Sequence, residues 1–169
     1  MMFSKKLQAT MNEIQKVGAM FYKTEITDDI VLYGLYRSNQ HEPIGKLMYN
    51  SSMSIFMLRR TLDNEYDMDE KDYGKQEIKN LPFTEQTECL FKDAESYAVL
   101  TGSDEIDLPH ILLAILNSEN HVVREYLEDE VDKNKLQKDL IELIYAKTVG
   151  YLNDNKNSKN EVKIEKALP

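Results

Sequence analysis

The groups in this 169-residue chain that could do chemistry are few: one cysteine, three histidines and one dense acidic run. Cys89 could serve as a nucleophile only with a base beside it or a depressed pKa. No histidine stands within a recognisable motif distance of it. Its neighbours read as helix, so Cys89 is expected to be a small packed residue. A zinc site needs several converging ligands. His41, His110 and His121 offer no pair at suitable spacing, among themselves or with Cys89, so no metal is expected. Residues 63–72 are acidic enough to suggest calcium, yet they lack the regular loop with a central glycine and a closing glutamate. Nucleotide chemistry would need a glycine-rich loop ending in Lys-Ser/Thr. The chain lacks that loop and holds only six glycines. No catalytic residue, metal or cofactor is therefore expected, and no cluster of nucleophile and base supports a small helical hydrolase.

The remaining polar residues of interest sit where helices should begin. Ser4 is placed to cap a first helix, with Met11, Ile14, Val17, Gly18 and Phe21 on one face. Thr27 can cap a second, whose first turn holds Asp28 and Asp29, acids suited to the positive end of a helix dipole. Residues 30–36 form its apolar body. Pro43 fits the start of a third helix, and residues 55–62 read as a fourth. Thr84 caps a fifth, with Leu90, Phe91, Ala94, Tyr97 and Ala98 inward. Asp107 caps the apolar run 111–116, with Pro109 in its first turn, where a missing N–H costs little. Asn120 caps residues 121–127. A last helix spans about 135–152, with Leu136, Leu140, Leu143, Ile144 and Tyr151 on one face. Residues 63–80 are acidic and poor in apolar anchors, and are expected to be a mobile connector with a short helical extension. Residues 153–169 read as a flexible linker. Met48, Met53, Met57 and Met68 cluster in sequence and are expected to fill gaps in the core.

Composition narrows the partners. A net charge of −9 argues against general nucleic-acid binding, which depends on lysine and arginine neutralising phosphates. It suits protein partners that carry basic groups. A single cysteine excludes an internal disulfide and fits a reducing compartment. The N-terminus lacks the apolar stretch of a secretory signal, and no run is long enough to span a membrane. A cytoplasmic protein without membrane contact is expected.

The chain also repeats itself. Phe3-Ser4 and Phe83-Thr84 are eighty positions apart, and the offset holds without a gap through three helices. Glu25-Ile26 meets Glu105-Ile106, Leu32 meets Leu112, Ser38 meets Ser118, and His41 meets His121. Caps, inward faces and polar breaks coincide. Each copy is too small to bury its own apolar face, so the two should pack about a pseudo-two-fold axis.

These residues resemble the Clp repeat. The resemblance rests on Phe83-Thr84-Glu85 and on Ile106-Asp107-Leu108-Pro109-His110-Ile111-Leu112-Leu113, with Met1-Met2-Phe3 similar to the start of ClpC-type chains. It implies an all-α fold of two tandem four-helix repeats. Residues 1–152 would form a Clp N-terminal domain: repeat one 1–62, connector 63–80, repeat two 81–152, then linker 153–169. The implied role is to bind substrates and adaptor proteins for an ATP-dependent Clp protease ATPase subunit. ATP and magnesium would belong to the AAA+ modules of the parent, a hexamer, with the isolated domain a monomer. The alternative is a free-standing Clp-repeat adaptor or regulator.

The resemblance further implies a phosphoarginine site in each repeat, where a helix start and a hydroxyl hold the phosphate and a carboxylate holds the guanidinium. In repeat one, Ser4 keeps the hydroxyl. Thr27-Asp28-Asp29-Ile30 stands where the family has Gly-Thr-Glu-His, so Asp29 keeps the carboxylate, shorter by one methylene. In repeat two, Thr84 keeps the hydroxyl, but Leu108 and Pro109 stand at the Thr and Glu positions and the guanidinium partner is lost. The first-repeat pocket is therefore the expected ligand site. Ordinary helix capping accounts for Ser4, Thr84 and Asp29 without any ligand, at about 1 kcal/mol each.

Overall fold

The computed structural model describes residues 1–68 and 80–157, the last eight of these as backbone only. Eight helices lie among them: α1 (Lys5–Met20), α2 (Asp28–Ser38), α3 (Pro43–Asn50), α4 (Ile55–Glu65), α5 (Glu85–Leu100), α6 (Leu108–Ile115), α7 (His121–Glu130) and α8 (Lys133–Asn157). Extended pairing among the described residues is confined to two isolated parallel bridges, Phe3–Ile106 and Ile26–Phe83. The fold is all-α, as expected.

Local chemistry sets most of the helix starts. Ser4 Oγ accepts from Leu7 N at 3.0 Å, and Thr84 Oγ1 accepts from Thr87 N at 3.1 Å. Asn120 Oδ1 accepts from Val122 N and Val123 N. Each bond satisfies a donor that the first helical turn leaves without an intrahelical partner. Thr27 departs from the pattern: it sits at the N-cap of α2, but its side chain makes no capping bond.

Helices α2 and α6 are the centre. Every residue from Asp28 to Tyr36 is buried, as is every residue of α6. A helix buried on all sides must be covered on all sides. The cover is arranged in matching halves. Helix α1 packs on α2 as α5 packs on α6, while α4 lies against α2 and α7 as α8 lies against α6 and α3. Each fourth helix thus touches its own repeat and the third helix of the other. Gly34 permits the close approach of α1: a Cβ there would stand 2.7 Å from Ile14 Cγ1 and 3.0 Å from its Cα.

The repeats are stitched together by backbone. Ser4 N donates to Ile106 O at 2.8 Å, and Ile106 N donates to Met2 O at 2.9 Å. The counterparts are Thr84 N to Ile26 O at 3.1 Å and Ile26 N to Pro82 O at 2.8 Å. The segment ahead of each first helix therefore pairs with the segment ahead of the other repeat's second helix.

Several expectations change. Cys89 is exposed, not packed. The buried face of α5 runs through Thr87, Leu90, Ala94 and Ala98, and Cys89 falls off it. Helix α4 continues to Glu65, which is the short helical extension expected at the start of the connector, whereas α8 continues to Asn157, so residues 153–157, assigned to the linker, are helix. Residues 69–79 and 158–169, which carry the rest of those two assignments, lie outside the described residues. The methionines fill the core: Met48 and Met53 are buried, and Met57 and Met68 pack against it.

Candidate functional site

At the start of α6, Asp107 is the N-cap. One carboxylate oxygen accepts from Ser4 Oγ at 2.7 Å and from Leu108 N at 2.8 Å, and the other accepts from Lys147 Nζ of α8 at 2.5 Å. Burial opposes ionisation here. The hydrogen bonds from Lys147, Ser4 and Leu108 outweigh it and hold the carboxyl below the usual aspartate range. The box closes from the other side, where Asp107 N donates to His110 Nδ1 at 2.9 Å. That contact leaves Nδ1 unprotonated, so the proton of the neutral ring sits on Nε2, 3.1 Å from Ser103 Oγ. Burial pushes the imidazole pKa down, opposed by the charge of Asp107 and reinforced by that of Lys147.

At the start of α2 the acids lie inside the first turn. Asp28 is 1% exposed and Asp29 0%. Asp28 accepts from Thr87 Oγ1 at 2.6 Å and from Ser118 Oγ at 2.5 Å, both in repeat two. Asp29 accepts from Tyr66 Oη at 2.5 Å and, at 3.5 Å, from Asn120 Nδ2. Burial and the charge of Asp29 raise the pKa of Tyr66 far above the phenol range, so it stays a donor.

The four expected site residues are thus split between these two places. Ser4 joins Asp107 of repeat two, whereas Asp29 is held by Tyr66 and Asn120. The expected grouping of Ser4 with Asp29 in a first-repeat pocket is corrected: the hydroxyl ahead of α1 works with α6. Thr84 also works across the repeats. Its hydroxyl meets Thr87 Oγ1 at 3.0 Å, which in turn donates to Asp28. The reason lies in the crossed backbone pairing, which carries each first-helix cap to the opposite repeat. An acid absent at Pro109 stands two residues earlier, at the N-cap Asp107.

Sequence reasoning missed Tyr66, Thr87, Ser118 and Lys147. The eighty-residue offset placed Ser118 opposite Ser38 but gave no hint of its acceptor. Tyr66 lay in a run dismissed as connector.

Beside Asp107 opens a groove of about 480 Å³. Its walls come from α3 (Pro43, Ile44), α6 (Leu108, Pro109) and α8 (Leu143, Ile144). Lys6, Glu42, Glu105 and Lys147 stand at it as well, with Lys6 and Glu42 paired at 2.7 Å. An apolar trough with a few placed charges suits a polypeptide segment better than a small polar metabolite. No group of three or more His, Cys, Asp or Glu able to hold a metal occurs among the described residues.

Comparisons with known proteins bear on the family and the fold. The sequence model of the Clp repeat (R) N-terminal domain matches residues 2–162. The chain belongs to the Clp N-terminal domain family. Solved structures support the same fold. The N-terminal domain of the chaperone ClpD from Arabidopsis thaliana is 19% identical with a TM-score of 0.66, the match covering 84% of this chain and 94% of that one. The Hsp104 N-terminal domain from Candida albicans is 12% identical with a TM-score of 0.64, over 85% of this chain and 91% of that one. A chain described under structural investigations of a malarial protein secretion system is 14% identical with a TM-score of 0.65, over 84% and 94% respectively. Among curated proteins, none matches this sequence. At these identities the Clp N-domain neighbours bear on the fold, and the site must be read from this chain's own residues.

Proposed function

We propose that this Clp N domain receives substrate polypeptides and adaptor proteins for a cytoplasmic, ClpC-type AAA+ unfoldase, has no catalysis of its own and is monomeric in isolation. The observation that carries the reading is the groove at the start of α6, apolar along α3, α6 and α8 and charged at Asp107 and Lys147. Phosphoarginine recognition at Ser4, Asp28, Asp29 and Thr84 is the finer expectation. It would need a carboxylate that solvent can reach, and Asp28 and Asp29 are buried with their oxygens already accepting hydrogen bonds. An unmodified segment in the α6 groove is therefore the reading the side chains favour.

The test is fluorescence anisotropy with a labelled, permanently unfolded polypeptide, beside calorimetric titration with free phosphoarginine. The native chain should bind the polypeptide, and Leu143→Glu, which puts charge on the groove wall, should weaken binding roughly tenfold or more. Phosphoarginine at millimolar concentration should give no heat. Polypeptide binding that Leu143→Glu leaves intact would remove the groove from this role. Heat from phosphoarginine that Asp29→Ala abolishes would restore the α2 site.

A further inference from the structure

The groove contains a carboxylate already occupied by a cation of the same chain. Asp107 is 7% exposed, and one of its oxygens is fixed by Ser4 Oγ and Leu108 N. The other meets Lys147 Nζ. The Lys147 side chain is itself 65% exposed, against 10% for that of Asp107. A flexible, largely hydrated lysine is thus paired to a nearly buried, rigidly held acid. Such an ammonium can leave its partner for water at little cost, whereas the acid cannot follow it. Once uncovered, Asp107 would be a buried charge without its counterion, a condition strongly relieved by any other cation that reaches it.

We propose that Lys147 is a built-in competitor, its ammonium keeping the place on Asp107 that a lysine or arginine of an incoming polypeptide takes when an adjacent apolar side chain fills the groove. The proposal rests on the reading of the groove as the polypeptide site and adds its selectivity and its threshold. Charge favours a basic occupant. The groove is lined by Glu42, Asp104, Glu105 and Asp107 against Lys6 and Lys147. Lys6 is spent on Glu42, and the whole chain carries −9. Displacing Lys147 makes basic segments compete with an intramolecular cation. Weak or isolated basic residues are then rejected, and segments that also supply apolar contact are retained.

The experiment uses the 169-residue chain and three labelled peptides with one apolar core, differing at one adjacent position: arginine, norleucine or glutamate. Binding is read by anisotropy for the native protein, Lys147→Met, which keeps the aliphatic stem, and Asp107→Asn, which keeps an N-cap residue. The native protein should favour arginine over norleucine and norleucine over glutamate. In Lys147→Met the ratio of arginine to norleucine affinity should rise roughly fivefold to tenfold, as an unpaired carboxylate gains a charge-assisted partner. In Asp107→Asn, checked for an unchanged circular dichroism spectrum, that ratio should fall to about one. A ratio unaltered by Lys147→Met, or preserved in Asp107→Asn, overturns the proposal while leaving the groove reading standing. Failure of all three peptides to bind any variant overturns both.

Discussion

Two helix starts related by the pseudo-two-fold have solved one problem in different ways. Both α2 and α6 are buried from the first turn, so their leading N–H groups cannot be left to water. At α2 the first turn carries Asp28 and Asp29. Eighty positions on, Leu108 and Pro109 stand in their places, and the acid has moved back to the cap, Asp107. The α2 acids take their hydrogen bonds from inside: Thr87 and Ser118 of the other repeat, and Tyr66 at the end of α4. Asp107 takes one of its bonds from an exposed lysine on α8 beside an open groove. One end is closed by its own network and holds the repeats together. The other keeps its charge beside an open groove. Nearly the same backbone thus gives a closed joint at one end and an open groove at the other, and side chains at the first helical turn decide which.

The sharpest way to break the comparison is Asp28→Ala. It strands two hydroxyl groups, the buried Thr87 and the half-buried Ser118, that now donate to one carboxylate. Hydrogen bonds to a charged group contribute about 1.5–3 kcal/mol each, not fully additive, so a loss of about 3 kcal/mol in urea unfolding is expected. A loss below 1 kcal/mol would mean that the joint is not where the repeats are held. Tyr66→Phe is the milder form. It removes the phenol that donates to Asp29, and about 2 kcal/mol should go, while peptide binding at the α6 groove stays as it was.

How much of this could be read from the sequence follows from the range of each interaction. Caps at Ser4, Thr84 and Asn120 act over two or three residues, and the residue types announce them. The buried faces follow from helical periodicity, and the eighty-residue offset from plain comparison. Periodicity reports that a face is buried, not what covers it. The bond between Ser4 and Asp107 joins residues 103 apart, and neither residue's neighbours indicate the other. Grouping Ser4 with Asp29 assumed that each repeat completes its own pocket, and the crossed backbone pairing removes that assumption. Tyr66 was hidden by the acidic company it keeps. The extension of α8 to Asn157 runs through asparagine-rich sequence of poor helix propensity. Adding residues to an existing helix avoids the cost of nucleation, so composition alone misplaced that end.

A third expected outcome concerns pH at the α6 end. His110 must stay neutral to accept from Asp107 N, and burial holds its pKa below the ordinary 6.5. The unfolded chain therefore takes up a proton first as pH falls. The contribution of His110 is fully present above the unfolded value and is lost on moving down through it toward the folded one. Unfolding free energy should decline between pH 7 and pH 5.5, with a shallower slope in His110→Gln, which can still bond the cap but does not titrate. Equal slopes would show that the box does not depend on the neutral ring. Nothing equivalent operates at α2, where the matching residue is Ile30.

The smallest effect should be a gain. Tyr22 and Gly102 end the first helix of each repeat at matching positions, and both have positive φ, 55° and 71°. Gly102 adopts this left-handed conformation freely, and a Cβ there would have nothing within 4 Å. Tyr22 must bear the clash between its Cβ and the backbone, roughly 1 kcal/mol. Its side chain is 57% exposed, so the ring returns little of that through burial. Against the relief stand whatever contacts the ring makes and the greater freedom glycine gives the unfolded chain. Tyr22→Gly should therefore raise stability by about 0.5 kcal/mol in urea unfolding, and Gly102→Tyr should lower it by a comparable amount. Opposite signs at matched positions would show that the two repeats share a backbone that only one of them has fitted with the residue it prefers. A loss in Tyr22→Gly would mean that the tyrosine contributes more through its contacts than its conformation costs.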